Sequence, residues 1–251
     1  MDASSLSKLK HPPIVEAVVD FDCDMPQDYD LERVQSDLAV ALSADYPSVE
    51  QIRRADVTLN VDEATSGVTK SLDALRFRNA TNDQIVQYRA SGFSFNRLSP
   101  YRSFDDYTPE IRNRWIQFVE LVKPVLLRTL RLRYINMVNV PFDRGAVELS
   151  RYLNCAVALN DNDVSSGGYL SRLSVLDSKS DLSGVVLSVS QPPTATHVPV
   201  IIDIAVQTEM RCELDDNNTI NFSLELLRGF KNRVFASSIT DEMFSELERM
   251  S

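Results

Sequence analysis

Glycine is scarce in this chain, with seven residues in 251, and this scarcity argues against several classes of enzyme. Loops that hold phosphate groups need glycine to bring backbone N–H groups close to the ligand. The sequence contains no GxxxxGKS/T, GxGxxG or GxSxG pattern. P-loop nucleotide hydrolases, dinucleotide-binding enzymes and nucleophile-elbow hydrolases are therefore disfavoured.

Histidine and cysteine are also rare. His11 and His197 each lie beside prolines at strand entrances, and nothing local supplies either of them with both a nucleophile and an orienting group. General-base catalysis needs such partners. Cys23, Cys155 and Cys212 show no CxxC or Cys/His spacing, which argues against a zinc site and a disulfide framework. We predict no catalytic residue, no metal and no cofactor, and a reducing cytoplasm as the location.

Long apolar runs are missing as well. No stretch approaches the roughly 18 apolar residues of a membrane helix, and the start MDASSLSKLKHPP lacks the apolar core of a signal peptide. We therefore predict no membrane association. The net charge of −10 argues against an extended nucleic-acid surface. Residues 76–133, however, carry ten arginines and one lysine against five acidic residues, which leaves nucleic acid binding open on a local basic face.

The order of predicted elements indicates an α+β fold. Strands are predicted at 14–24, 57–61, 74–78, 84–90, 93–97, 131–140, 169–176, 184–190 and 198–210, and helices at 31–46, 103–125, 147–154, from about 222 and from 240. This order predicts one body over 1–251 with a mainly antiparallel curved sheet, long helices and structural halves 11–130 and 131–251. Two β-α-β(3–4)-α units related by a pseudo-twofold axis, as in the TATA-binding-protein-like saddle, would have this order. A helix-grip fold is the alternative.

Carboxylates on one face of the first strand resemble a metal site. They are Glu16, Asp20, Asp22 and Asp24. Because the strand spreads them over roughly 27 Å, at most two neighbours could reach one ion, and a solvated or ion-paired face is favoured. The run at 161–163 lacks the glycine and the terminal glutamate of a calcium loop, and we interpret it as a turn. Phe93 and Phe95 are interpreted as core residues rather than as a base-stacking surface.

Arginines on predicted strands form the strongest candidate for a site. They are Arg76, Arg78, Arg89, Arg97, Arg131, Arg133 and Arg172. Arginine in a sheet needs a carboxylate or an anionic ligand to offset its lost hydration. Glu16 and Asp203 are the candidate carboxylates within the fold. A structural ion-pair network is the favoured interpretation. The alternative is a pocket for a phosphate, a nucleotide or an acidic peptide on a concave sheet face.

Four segments of the chain resemble a known family. They are HPPIVEAVVDF at 11–21, FSFNRLSPY at 93–101, LRYIN at 132–136 and FKNRVFASSIT at 230–240. In these segments the chain resembles a sporadically distributed prokaryotic family of similar length that has no assigned activity. The resemblance implies a bacterial or archaeal protein and carries over no catalytic residue. Patchy distribution is typical of mobile genes, including toxin–antitoxin and antiviral defence modules.

Polar residues in these segments are candidate ligand-binding residues. They are Glu16, Asn96, Arg97, Tyr101, Arg133, Asn136, Lys231 and Asn232. If they converge on one groove, they form a polar, cationic site with Glu16 as its counter-charge. The alternative is a buried polar network that fixes the strand register and docks the last long helix.

The absence of catalytic motifs, the acidic charge and the resemblance together favour a non-enzymatic binding or regulatory subunit. It would act through a protein partner, such as the product of a neighbouring gene, in a defence or toxin–antitoxin module, by covering a basic surface on that partner. The alternative is a sensor that binds an anionic ligand or nucleic acid on the arginine-bearing sheet. A metal-dependent phosphoryl-transfer enzyme using Glu16 and Asp203 is least favoured. Each hypothesis is compatible with a homo-oligomer.

Overall fold

The computed structural model describes Leu9 and residues 12–60, 65–142, 147–156 and 168–249. His11 and the predicted turn at 161–163 lie outside the described residues. Over these ranges, no helix is long and apolar enough to cross a membrane.

Nine strands and five helices make up the described part of the chain. The strands are β1 (Ile14–Asp24), β2 (Ser48–Asn60), β3 (Thr65–Arg78), β4 (Gln84–Arg89), β5 (Gly92–Leu98), β6 (Leu126–Pro141), β7 (Leu170–Leu176), β8 (Ser183–Ser190) and β9 (His197–Cys212). The helices are α1 (Leu31–Leu42), α2 (Phe104–Val122), α3 (Leu149–Tyr152), α4 (Asn217–Ser238) and α5 (Asp241–Arg249). The predicted order of strands and helices is confirmed. β2 and β3 are much longer than predicted.

All nine strands form one antiparallel sheet in the order β2-β3-β4-β5-β1-β6-β9-β8-β7. β1 and β6 lie side by side near the centre. Outward from β1 come β5, β4, β3 and β2, and outward from β6 come β9, β8 and β7. The α+β class with an antiparallel sheet is therefore confirmed. Because β6 begins at Leu126, the change from one set of elements to the next lies just before residue 126 rather than at 130.

The sheet has two different faces because successive side chains of a strand point to opposite sides. Ala17, Val19 and Phe21 of β1 point into a hydrophobic cluster that includes buried residues of all five helices. We call this side the helix face. The other side, which carries Asp20 and Arg131, has no described helix packed on it, and we call it the open face.

Helix α2 has a capping residue at its start and a left-handed residue at its end. The side chain of Ser103 accepts a hydrogen bond from the N–H of Asp106 at 3.2 Å and caps the first turn. At the other end Lys123 adopts a left-handed conformation with φ 54°, and Pro124 follows. The prediction that this helix continues to Val125 was wrong. Because the helix ends at Val122, Val125 lies beyond it and is exposed.

Trp115 of α2 contacts residues before and after β6 in the chain. Its ring stacks on Phe21 of β1 with 4.4 Å between the centroids. Its indole N–H donates to the carbonyl oxygen of Leu214, between β9 and α4, at 3.2 Å. Phe93 and Phe95 are buried in the same cluster, as predicted. The core therefore spans residues from both predicted halves.

Gly92 at the start of β5 provides a test of the central sheet. Its φ is +144°, and a Cβ there would lie 2.0 Å from the carbonyl oxygen of Phe21. We expect Gly92→Ala to lower the free energy of unfolding by about 3 kcal/mol, because an L side chain is strained and clashes with backbone. Gly67→Ala is the matched control, since a Cβ added there would have no atom within 4 Å. Urea unfolding followed by Trp115 fluorescence measures both. Equal stabilities of the two variants would contradict this account of the β1–β5 contact.

Candidate functional site

A cavity of about 230 Å³ lies on the helix face, bordered by β6, α4 and the connection from β5 to α2. Its lining residues are Leu9, Pro12, Pro13, Ile14, Tyr101, Arg102, Ser103, Phe104, Asp105, Tyr134, Asn136, Arg228, Lys231, Asn232 and Phe235. Four of the predicted site residues meet here, namely Tyr101, Asn136, Lys231 and Asn232. We call this space the Lys231 cavity.

Lys231 lies on the buried stripe of α4. Leu227 and Val234, four residues before and three after it, are buried core residues, so helical spacing brings the lysine into the core. The residue is only 9% exposed. Its Nζ lies 3.8 Å from the ring centroid of Tyr134, and no described residue forms a hydrogen bond or ion pair with it. Burial, with a smaller contribution from the charge of Arg228, lowers the pKa of Lys231 to about 7.

Asn136 occupies an inward position of β6, where the strand otherwise presents apolar side chains such as Val138. Its Nδ2 donates to the main-chain oxygens of Tyr134 and Ile202 at 3.3 and 3.0 Å. The amide oxygen Oδ1 has no partner among the described residues. A shift of register between β1 and β6 pairs Ile14 with Asn136, and both residues line the cavity.

A pair of tyrosines lies at the cavity wall. The hydroxyl groups of Tyr101 and Tyr134 are 2.8 Å apart. Burial raises the pKa of Tyr101 to about 12 and that of Tyr134 well above its ordinary value, so both hydroxyls keep their protons at neutral pH. Their mutual hydrogen bond uses one of these two protons. The other O–H has no acceptor among the described residues and is a donor available to a ligand.

Arg228 and Asp105 form another part of the wall. The guanidinium donates two hydrogen bonds to the carboxylate, at 2.8 and 3.0 Å, and joins α4 to α2. Sequence reasoning missed Arg228 and Tyr134. Two signals could have found them, since Arg228 lies three residues before Lys231 on the same side of α4 and Tyr134 lies inside the LRYIN segment.

The eight polar residues from the resembling segments do not converge on one groove, so the condition for a single site made of all eight is not met. Glu16, Asn96 and Arg133 lie on the open face, because strand side chains alternate and their neighbours occupy the helix face. Glu16 accepts a hydrogen bond from Asn96 at 2.6 Å and does not line the Lys231 cavity. The carboxylate that lines the cavity is that of Asp105.

Most arginines of the open face have acidic or amide partners. Arg133 forms two hydrogen bonds with Asp203, at 2.9 and 2.6 Å. Arg131 binds the side-chain oxygen of Gln207 at 3.1 Å and lies 3.8 Å from Asp20. These contacts are the ones that the ion-pair interpretation predicts. The arginines form a network within the sheet and offer few free charges to a ligand.

The remaining arginines differ in their surroundings. Arg97 lies on the helix face, where it binds Asp83 at 2.6 Å and covers the ring of Tyr107 at 4.6 Å. Arg89 binds Asp22 at 2.7 Å, and Arg76 binds Glu50 at 3.3 Å. The side chains of Arg78 and Arg172 form neither a hydrogen bond nor an ion pair with any described residue.

No histidine is among the described residues that line the Lys231 cavity. Within the described ranges, no three His, Cys, Asp or Glu side chains are grouped as a metal ion would require. His197 lies at the start of β9, where its Nδ1 contacts the hydroxyl of Thr196 at 3.0 Å.

Alanine variants at two arginines test the ion-pair interpretation. The side chain of Arg97 is 16% exposed and that of Arg133 is 44% exposed. We expect Arg97→Ala to lower the free energy of unfolding by about 1–2 kcal/mol, since Asp83 loses its ion pair. Asp83 keeps its hydrogen bonds from Thr81 and Asn79.

Arg133→Ala should cost about 2–3 kcal/mol although Arg133 itself is the more exposed arginine, because Asp203 is only 13% exposed and loses both of its hydrogen bonds. Urea unfolding measures both variants. Unchanged stability of both variants, or loss of ligand binding without loss of stability, would contradict a structural role.

Comparison with known proteins supplies no assignment for this cavity. A scan of the chain against protein-family models gave no match, and a search of curated proteins gave none either. The functional argument therefore depends on the geometry and chemistry of the chain itself.

Proposed function

We propose that the protein binds a small carboxylate ligand in the Lys231 cavity, with Lys231 as the counter-charge. The carrying observation is a lysine that is buried on α4, lines a cavity and has no acidic partner among the described residues. Burying an unpaired ammonium group is costly, and a bound anion would remove that cost.

The polar groups around the cavity favour an anion over a cation. Available donors are the ammonium of Lys231, one hydroxyl of the tyrosine pair and the amide of Asn232, which makes no hydrogen bond to a described residue. Against these, the amide oxygen of Asn136 is an available acceptor. The carboxylate of Asp105 is already engaged by Arg228, and the exposed Arg102 adds a further positive charge at the rim. An excess of donors and positive charge matches a carboxylate.

The size of the cavity and its apolar lining indicate what else the ligand carries. The volume of 230 Å³ exceeds that of an engineered apolar cavity of about 150 Å³ that binds benzene. Ile14, Phe104 and Phe235 supply apolar surface beside the donors. These features favour a compact molecule with one carboxylate and a small apolar body over a phosphate, whose oxygens would require more donors.

This proposal keeps the sensor hypothesis but moves it from the arginine-bearing sheet to the helix face. A ligand in the cavity would contact α4, β6 and the connection before α2 together. By linkage, a molecule that binds the folded chain stabilises it and holds these elements in one arrangement. A partner could then recognise the liganded form.

Benzoate is a suitable probe, with benzamide as its uncharged control. We expect benzoate to raise the melting temperature and benzamide to have little effect, because Lys231 recognises the charge.

Lys231→Met should weaken benzoate binding on the order of 30-fold, which corresponds to one charged hydrogen bond. Since the lysine loses its proton as the pH rises through about 7, benzoate affinity should fall over that range. Calorimetric titration measures each effect.

Lys123→Met is the control variant, since Lys123 is an exposed lysine at the end of α2. It should bind benzoate like the parent protein. Equal stabilisation by benzamide, an affinity that ignores pH, or preferential stabilisation by inorganic phosphate would each contradict a carboxylate site at Lys231.

The second candidate is the regulatory subunit that acts through a protein partner. We infer that the partner docks on the open face of a TATA-binding-protein-like saddle. The strand order supports this arrangement, since β1 and β6 occupy equivalent central places and the long helices α2 and α4 lie together on the helix face. A helix-grip fold would wrap the sheet around one long helix. The net charge of −10 favours a basic partner.

Co-expression with the product of the neighbouring gene tests the partner hypothesis. We expect a stable heteromer on size-exclusion chromatography that weakens with added salt, because the contact depends on complementary charge. Asp22→Lys on the open face should weaken the complex, whereas Asp105→Asn on the helix face should not. Independent migration of the two proteins at low salt would argue against this function.

A further inference from the structure

We propose that Lys231 captures carbonyl compounds covalently, forming an imine with a small oxo acid bound in the Lys231 cavity. The proposal rests on the proposed function for one part only, the placement of the acid group in the cavity. Asn232 and Arg102 provide that placement here, because Lys231 acts as the neutral amine. The carbonyl chemistry belongs to the amine of Lys231 and to the hydroxyl pair beside it.

The surroundings of Lys231 favour the neutral amine, which is the nucleophilic form. The side chain is buried, and its Nζ lies against the ring of Tyr134. The charged groups that line the cavity are Arg228 of α4 and Arg102 and Asp105 of the segment around the start of α2. Because Asp105 is engaged by Arg228, no described carboxylate holds the proton on the lysine. Desolvation and a neighbouring cation are the conditions that activate lysine as a nucleophile.

The step is balanced with groups that the cavity provides. The lone pair of Nζ forms a bond to the carbonyl carbon, and the C=O π electrons move to oxygen, which takes up a proton from one hydroxyl of the tyrosine pair. The nitrogen of the carbinolamine gives one proton back to the tyrosine oxygen. The same tyrosine then protonates the hydroxyl group, which leaves as water, and the remaining nitrogen proton returns to the tyrosine. An imine and one water molecule are the products, and neither an oxidant nor a reductant is needed.

The tyrosine pair can supply the proton at the oxygen. The hydroxyls of Tyr101 and Tyr134 are 2.8 Å apart, and one of their two protons is free of that hydrogen bond. Both residues line the same cavity as Lys231. A neutral amine, a hydroxyl donor and a positive rim are therefore present in one cavity. This set matches a molecule with an electrophilic carbonyl next to a carboxylate.

Pyruvate in the presence of sodium cyanoborohydride is the direct test, because the hydride reduces an imine to a stable secondary amine. We expect peptide mass spectrometry of the wild-type protein to find the adduct at Lys231. The rate should exceed that of the exposed Lys70, Lys123 and Lys179 by at least about 10-fold at neutral pH, since those amines are almost fully protonated there. Lactate, which lacks the carbonyl group, should give no adduct.

The pH dependence separates the covalent mode from the ionic one. Imine capture needs the neutral amine, so its rate should rise between about pH 6 and about pH 8, whereas benzoate affinity falls over the same range. Benzoate binding without an adduct at Lys231 would overturn this inference and leave the carboxylate function standing. An adduct at Lys231 without benzoate binding would support capture and overturn the carboxylate function. Modification of Lys231 at the rate of the exposed lysines would overturn the inference.

The search for the adduct in the wild-type protein needs no variant, so its result does not depend on how a variant folds. Lys231→Arg adds a second readout, since it keeps a positive charge but cannot form the imine at neutral pH. We expect this variant to lose the adduct while Lys179→Met, which removes an exposed lysine, keeps it.

Discussion

The antiparallel pairing of β1 with β6 is the constraint on which the rest of the structure depends. It joins the first five strands to the last four and fixes which side of each central strand faces the helices. From that register, Tyr134 and Asn136 point to the helix face while Arg131 and Arg133 point away. The same register divides the polar residues between the Lys231 cavity and the open face. A slip of one residue would exchange the two sets.

The two faces use charge in opposite ways. On the open face, Arg131 and Arg133 of β6 both have partners, as Arg133 has in Asp203. These contacts stabilise the sheet and leave little unpaired charge. On the helix face Lys231 is buried with an aromatic ring and no carboxylate among the described residues. Such an arrangement reduces stability, because an unpaired buried cation loses its hydration. A residue that lowers the free energy of unfolding is typical of a functional site.

Much of the fold could be predicted from local patterns. The alternation over Ile14–Asp24 predicted the bounds of β1, and a helix was predicted to begin at residue 31, where α1 begins. The longer extent of β2 could not be predicted, because this strand lies at the edge of the sheet and its polar, exposed residues show no alternation. Pairing with β3 holds it in place, and pairing between distant residues leaves no local signal.

The sequence by itself determined the element types, the absence of familiar catalytic motifs and the polar residues worth testing. It placed Lys231 on the last long helix, whereas the position of Lys231 on the buried stripe between Leu227 and Val234 is a finding of the structure. Only the tertiary structure decided that Tyr101, Asn136 and Lys231 share a cavity while Glu16 lies on the other side of the sheet. The physical reason is that a side chain's direction follows from its own strand or helix, whereas its neighbours follow from strand order and helix docking between residues far apart in the chain.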